Sequence, residues 1–178
     1  MVGRLLTADP GQWSGGTEGS GPPAYSYQWL RDGAAISGAV AQTYQVDAAD
    51  AGRAVSVLVT ATRPAYKAGK FETASVPVAK LSSRLSATAV RKTVKKGQAA
   101  ALKLVLRVPG TASPLGRVKV LDGKKTVGKG AFATGKLGRL TVKLGKLRPG
   151  VHKLRAVYAG SATVAGASSK VVRLAVRR

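Results

Sequence analysis

Apolar and polar residues alternate with a period of two along much of this chain. In residues 101–108 every second position is Leu or Val, and the positions between them include Lys103 and Arg107. A half-buried β-strand requires this alternation because successive side chains point to opposite faces, whereas a helix would scatter the same residues around its axis. The pattern therefore predicts strands here and, on the same grounds, in residues 139–144, 152–158 and 171–177, with weaker examples in 85–90 and 117–121.

The first half of the chain shows the same pattern with fewer charged residues. Turn-forming Gly, Pro and Asp residues separate its apolar segments, and the Gly/Ser/Pro-rich stretch 14–23 is typical of one long solvated connection. No segment of 10–15 residues shows the periodicity of an amphipathic helix. Parallel βαβ units are therefore disfavoured, and short strands in a sandwich or barrel are favoured. The strands predicted here are 4–8, 25–30, 43–46, 54–62 and 73–78.

Charge divides the 178 residues into two unequal halves. Residues 1–80 hold seven Lys/Arg and six Asp/Glu, whereas residues 81–178 hold 23 Lys/Arg and a single acid, Asp122. The change is abrupt near Lys80, and a shift of this kind indicates a domain boundary. We therefore expect two domains, 1–80 and 81–178, of which the second is strongly basic.

A Trp-containing strand runs into an Asp-Gly turn in residues 27–33, which read Tyr-Gln-Trp-Leu-Arg-Asp-Gly. With Gly3, Gly11 and Trp13 before it and the segments 43–46 and 49–52 after it, this order resembles bacterial immunoglobulin-like domains common in large actinobacterial extracellular proteins. The resemblance covers residues 3–78. It implies a core centred on Trp29, to which Tyr25 and Tyr27 on the same strand face would contribute. In that family a further strand precedes the Gly3 region, so we expect the first domain to lack its first strand.

The second half carries a different set of motifs. These are Gly97-Gln98, Gly116 to Val120 followed by Asp122-Gly123, the segment 147–152, and Val157-Tyr158-Ala159-Gly160. Over residues 83–176 they resemble another bacterial immunoglobulin-like repeat, often found in tandem on surface proteins. Ser161 stands where that family often has Asp. Together the two resemblances imply an all-β protein made of two tandem immunoglobulin-like antiparallel β-sandwiches.

Candidate catalytic and metal-binding residues are few. Cysteine is absent, which excludes disulfides, thiolate zinc sites and a Cys nucleophile. A Ser-His-Asp triad would have to join His152, the single histidine, to Asp122, and no Gly-x-Ser-x-Gly motif supports it. Asp47 and Asp50 are the best calcium pair, but turn geometry explains the acids more simply. We predict no enzyme activity, no metal and no cofactor; the remaining acids weighed as paired carboxylates are Asp9, Glu18, Asp32 and Glu72.

The excess of Lys and Arg in the second half is the feature that most directly indicates a function. A surface of this kind attracts polyanions in a salt-dependent way. Only Phe132 and Tyr158 are aromatic in this half, so stacking of single-stranded nucleic acid and specific nucleic-acid recognition are not expected. The alternative explanation is a solubilising surface that blocks strand addition. The candidate polyanion-binding residues, which alternate outward on the predicted strands, are Lys103, Arg107, Arg117, Lys119, Lys143, Lys153, Arg155 and Arg173.

Three functions remain open from the sequence. The first is a spacer or adhesion module of a larger bacterial surface or secreted protein, flanked by other domains. The second is a module that binds an anionic cell-wall polymer through the basic half. The third is a glycan-binding module, for which Trp13 and Tyr66 are the plausible exposed aromatics. We expect an extracellular or cell-surface location, with no transmembrane helix, and with the export signal outside this sequence because residues 1–6 are too short and too soon polar to be one.

Overall fold

The computed structural model describes residues 2–14 and 21–178, so Glu18 and most of the predicted 14–23 connection lie outside the described residues. The chain divides into two compact units, Met1–Lys80 (unit 1) and Leu81–Arg178 (unit 2). Each unit is described by itself below.

Unit 1 consists of two antiparallel sheets in its described part. A small sheet pairs β1 with β4, and a larger one has the strand order β3-β2-β5-β6, with β7 also pairing with β5. A single 3-10 turn, Ala48–Asp50, lies between β4 and β5. The strands are β1 (Leu5–Thr7), β2 (Ala24–Arg31), β3 (Ala34–Ala35), β4 (Thr43–Gln45), β5 (Ala54–Thr62), β6 (Gly69–Glu72) and β7 (Val76–Pro77).

The core of unit 1 is built around Trp29. Its side chain is buried, stacks on Tyr44 with ring centroids 5.4 Å apart, and donates its indole N–H to the Ala41 carbonyl at 2.9 Å. Tyr27 is half-buried against the same cluster, but Tyr25 is 36% exposed, so its predicted place in the core is wrong. The reason is length: the strands of the small sheet have three residues and cannot cover all eight residues of β2.

Unit 2 is a larger sandwich. Its three-stranded sheet has the order β13-β10-β8, and its second sheet, called here the six-stranded sheet, has the order β12-β11-β14-β16-β9 with β15 pairing with β14. Every strand pair is antiparallel except β16 with β9, which is parallel because the chain crosses from one sheet to the other after β8. The strands are β8 (Arg84–Ala89), β9 (Thr93–Lys95), β10 (Ala101–Arg107), β11 (Gly116–Asp122), β12 (Lys125–Phe132), β13 (Arg139–Lys143), β14 (Gly150–Tyr158), β15 (Ala167–Ser168) and β16 (Val172–Arg177).

The period-two positions of unit 2 point inward as predicted. Leu102, Leu104 and Leu106 on β10 are almost fully buried, and the apolar positions of β11, β14 and β16 face them from the other sheet. Strand β12 packs differently, because glycine occupies inward positions there. A Cβ on Gly128 would lie 2.9 Å from Val142 Cγ1, so the missing side chain lets β13 approach closely.

The all-β prediction is confirmed, and most predicted strands lie within one or two residues of the observed ones. The predicted strand 73–78 is wrong in position: β6 ends at Glu72, and strand structure resumes only at Val76. Between them Thr73 bonds Val57 through both its amide and its hydroxyl, which turns the chain away from a continuous strand. Within the described residues, no helix is both long and apolar enough to span a membrane.

Candidate functional site

The structure brings His152 and Asp122 together at one end of the unit 2 core. Nδ1 of His152 lies 2.6 Å from Asp122 Oδ2, and Nε2 lies 2.8 Å from the Arg148 carbonyl oxygen. Both partners are hydrogen-bond acceptors, so this geometry favours the protonated ring, in which both nitrogens donate. The bond to Asp122, followed by the bond to Arg148, raises the pKa of His152. Because Nε2 is held by a backbone oxygen, the ring does not present a free nitrogen to a serine hydroxyl, as a triad would require.

Asp47 and Asp50, the candidate calcium pair of unit 1, are held in structural bonds. Asp50 is fully buried and accepts from Arg31 Nε at 2.7 Å and from the Tyr44 hydroxyl and the Asp47 amide at 2.8 Å. Burial, and then the bond to Asp50, raises the pKa of Tyr44 to about 12. Asp47 caps the 3-10 turn by accepting from the Ala49 amide. The best calcium pair of the sequence therefore forms a capping box, with its oxygens directed at protein donors.

Asp32 lies on the surface of the same unit. Its carboxylate accepts from the Ala54 amide and from Arg53, each at 2.9 Å, and these two bonds lower its pKa. Across the parts of the chain that the structure describes, no three His, Cys, Asp or Glu side chains form a group that could hold a metal ion.

The eight candidate polyanion-binding residues all lie on strands and are exposed, but the structure divides them between the two outer faces of unit 2. The six-stranded sheet carries five of them, which are Arg117, Lys119, Lys153, Arg155 and Arg173. The three-stranded sheet carries the other three, which are Lys103, Arg107 and Lys143. They therefore do not form one continuous surface.

Strand register places several cations directly opposite one another on the six-stranded sheet. Lys119 on β11 faces Lys129 on β12, and Lys153 on β14 faces Arg173 on β16. Directly opposed like charges destabilise a sheet. The one acid of unit 2, Asp122, is engaged by His152, so it does not neutralise this face. Sequence reasoning missed Lys129 as a strand residue because the glycines beside it hide the alternation of β12.

A groove of about 730 Å³ opens at one end of the outer face of the three-stranded sheet. Arg84, Arg107 and Arg139 line it, together with the apolar Val105, Pro109 and Leu137. Arg107 was predicted as a binding residue, whereas Arg84 and Arg139 were not. The sequence could have indicated Arg84 as the first outward-facing residue of its strand. That it lies beside Arg107 depends on strand pairing, which the sequence pattern does not show.

The two aromatic residues considered for glycan recognition line one small cleft of about 100 Å³ in unit 1. Trp13 is half-buried: its ring lies so close to Gly69 that a Cβ there would be 2.5 Å from it, and its indole N–H donates to the Pro10 carbonyl at 2.6 Å. Tyr66 is 40% exposed, with the Arg63 guanidinium 5.9 Å from its ring centroid. The Trp13 ring is thus largely used in packing.

Solved structures that are similar to this chain include three from different organisms. The fibronectin(III)-like modules of Clostridium thermocellum CbhA share 16% identity at a TM-score of 0.43, covering 90% of this chain and 82% of that one. The amphioxus IgVJ-C2 molecule shares 8% identity at a TM-score of 0.48, covering 98% and 96%. Murine CEACAM1b shares 11% identity at a TM-score of 0.44, covering 85% of each chain. No curated protein sequence matches.

The family comparison concerns unit 2. The family described as "Bacterial Ig-like domain (group 3)" has a model that matches residues 87–177. The sequence motifs indicated such a repeat over nearly the same region, residues 83–176. The predicted resemblance to a bacterial Ig-like domain is confirmed for this region. Folds of this class are typically non-catalytic. With half of its residues matched, the chain belongs to the bacterial Ig-like domain (group 3) family.

Proposed function

We propose that this chain is a non-catalytic, extracellular interaction module of a bacterial surface or secreted protein, and that the outer face of the six-stranded sheet retains it on an anionic polymer. The observation that carries the proposal is the cross-strand arrangement of cations on that face. Lys119 opposite Lys129 and Lys153 opposite Arg173 have no acid among them.

This arrangement of cations costs stability in the free protein. Like charges directly opposite each other on a sheet repel, each pair by a fraction of about 1 kcal/mol. A solubilising surface needs exposed charges, but it does not need them aligned in opposed pairs. A polyanion lying across the strands would turn each opposed pair into two favourable contacts and release its counterions. The alignment thus favours binding over solubility alone.

The chemistry of the face points to a polymer with repeating negative charges. The outward positions of this sheet carry long flexible cations and no aromatic platform, which disfavours stacking of nucleic-acid bases. For an extracellular bacterial module, an anionic cell-wall polymer is the partner that this chemistry fits. Unit 1, with its near-neutral balance, is proposed to act as a spacer between this surface and neighbouring domains.

Retention of the full-length protein on an immobilised anionic polymer tests the proposal. The variant Lys119→Gln/Lys129→Gln/Lys153→Gln/Arg173→Gln should elute at much lower salt, with the slope of log affinity against log salt reduced by about three. A matched control removes the same four charges from turns and loops, as Lys124→Gln/Lys136→Gln/Lys146→Gln/Lys170→Gln. Equal losses in both variants would show that net charge, and not this face, causes retention. No retention of the parent protein even at low salt would refute the proposal.

The proposed location has its own test. An antibody against this chain should label intact cells of the bacterium that makes it, or should detect the protein in the culture medium. Labelling confined to lysed cells would contradict an extracellular role.

A glycan-binding role is a second candidate, because Trp13 and Tyr66 line the same cleft. Tyr66 is the better probe, since it is more exposed and Trp13 contributes to packing. If a neutral glycan binds, Tyr66→Ser should abolish the binding while leaving retention on the anionic polymer unchanged. Absence of any signal on a glycan array would dispose of this candidate.

A further inference from the structure

Three arginines converge on the groove at the end of the three-stranded sheet. Arg84 on β8 lies directly opposite Arg107 on β10, and Arg139 on β13 lies opposite Val105, two residues earlier on β10. Side chains directly opposite are about 5 Å apart at Cβ, and diagonal neighbours about 7–8 Å. Three guanidinium groups can therefore reach one small ligand above Val105.

The positive charge of this groove is not balanced within the protein. All three arginines are exposed, and among the residues that the structure describes none of them forms an ion pair. Asp122, the one acid of unit 2, is bound to His152. Placing Arg84 opposite Arg107 is unfavourable in the free protein, and an anion between them would remove the repulsion.

A second observation points to a ligand at the same place. Leu137, which lines the groove, is 65% exposed and has a φ of 48°. A left-handed backbone is strained for a Leu, and exposing its side chain to water gains nothing. The turn is held by hydrogen bonds of 2.8 Å from the Arg139 amide to the Lys136 carbonyl and from the Leu106 amide to the Gly138 carbonyl. Backbone strain of this kind clusters at ligand-binding sites and other functional sites.

We propose that this groove binds a phosphate monoester, with the phosphate held by Arg84, Arg107 and Arg139 and the organic group lying against Leu137 and Pro109. Guanidinium groups match the oxygens of a tetrahedral oxyanion through paired hydrogen bonds, which a lysine cannot form. A phosphate monoester carries a charge of about −1.5 to −2 at pH 7, which suits three unpaired cations better than a singly charged sulfate monoester or carboxylate does. The Thr111 hydroxyl also lines the groove and can donate to a remaining oxygen, whereas the Ser83 hydroxyl already donates to the Ala165 carbonyl at 2.7 Å.

This site is separate from the proposed polymer-binding face, because it lies on the other sheet of unit 2. Each can therefore fail without the other. The groove would hold a single small ligand through the geometry of its three guanidinium groups, whereas the six-stranded sheet would hold a polymer through distributed charge.

The test is a titration of the full-length, isotope-labelled protein with phenyl phosphate at constant ionic strength, followed by amide chemical shifts. The largest shifts should fall at Leu137 and its neighbours and along β8 and β10. The variant Arg84→Lys/Arg107→Lys/Arg139→Lys keeps every charge and should weaken binding about tenfold or more, because the paired hydrogen bonds are lost. The control Arg117→Lys/Arg155→Lys/Arg173→Lys makes the same change on the six-stranded sheet and should leave the dissociation constant unchanged.

The ligand class is tested in the same way. Phenyl phosphate should bind more weakly at pH 5 than at pH 7, because its second pKa is about 6, whereas phenyl sulfate should bind weakly at both. Shifts spread evenly over both faces, or equal dissociation constants for the two lysine variants, would overturn the site. Equal binding of phenyl sulfate and phenyl phosphate at pH 7 would overturn the assignment to a phosphate monoester.

Discussion

Replacing Asp50 with Asn tests how much the buried carboxylate of unit 1 contributes to stability. The carboxylate is fully buried; one oxygen accepts from Arg31, and the other accepts from Tyr44 and from the Asp47 amide. Asparagine has the same shape but only one acceptor atom. In either orientation of the amide, its NH₂ group therefore faces at least one donor.

The expected loss follows from leaving a charged group without its partner. Removing one member of a buried ion pair costs about 3–5 kcal/mol, and the 30% exposure of the Arg31 side chain places this case near about 3 kcal/mol. A unit of this size has a total unfolding free energy of about 4–12 kcal/mol. With a urea dependence near about 1 kcal/mol per molar, the midpoint of unit 1 should fall by about 3 M.

The assay uses the placement of the two Trp residues, Trp13 and Trp29, which both lie in unit 1. Tryptophan emission of the full-length protein in urea therefore follows unit 1 alone. The control is Asp32→Asn, the same change at an exposed carboxylate whose Arg53 partner is also exposed. Asp32 has a φ of 48°, which Asn tolerates, so the backbone is not a confounding factor. A midpoint shift no larger for Asp50→Asn than for Asp32→Asn would refute the reasoning.

Three further predictions concern single residues. The pKa of His152 is raised in the folded state, so its bond to Asp122 stabilises unit 2 fully below pH of about 6.5 and progressively less as the pH rises through the folded-state pKa. Thermal unfolding between pH 6 and 9 should show this decline in stability, and the variant His152→Gln should flatten the dependence on pH. Gly138→Ala should destabilise unit 2 by about 2–4 kcal/mol, because Gly138 has a positive φ and an added Cβ would overlap a backbone carbonyl of β10. The control Gly110→Ala, which also has a positive φ but lies in open space, should cost only about 1 kcal/mol when both variants are measured by calorimetry. Ala65→Gly should stabilise unit 1 by about 1 kcal/mol in urea, because Ala65 has a φ of 64°, and an unchanged midpoint would argue against strain there.

The sequence by itself determined what depends on neighbouring residues. Period-two alternation indicated both the strands and their buried faces, because the pleat sends successive side chains to opposite sides whatever the strand pairs with. Leu102, Leu104 and Leu106 are buried for this reason, and Lys103 and Arg107 are exposed. The change of charge near Lys80 coincides with the division into two units. Strand β12 escaped prediction because Gly128 replaces the apolar residue that would have completed the alternation.

Only the tertiary structure decided which strands are neighbours, and this governs every candidate site. Alternation shows that Arg107 and Lys119 both point outward, but not that they lie on opposite faces of one sandwich. The pairing of Arg84 with Arg107 and the bond between His152 and Asp122 join residues that are far apart in sequence. Such contacts depend on strand register, which is specified by the packing of the whole core and not by any local pattern. The residue types therefore indicated which chemical groups this protein carries, whereas the fold determined which of those groups share a surface.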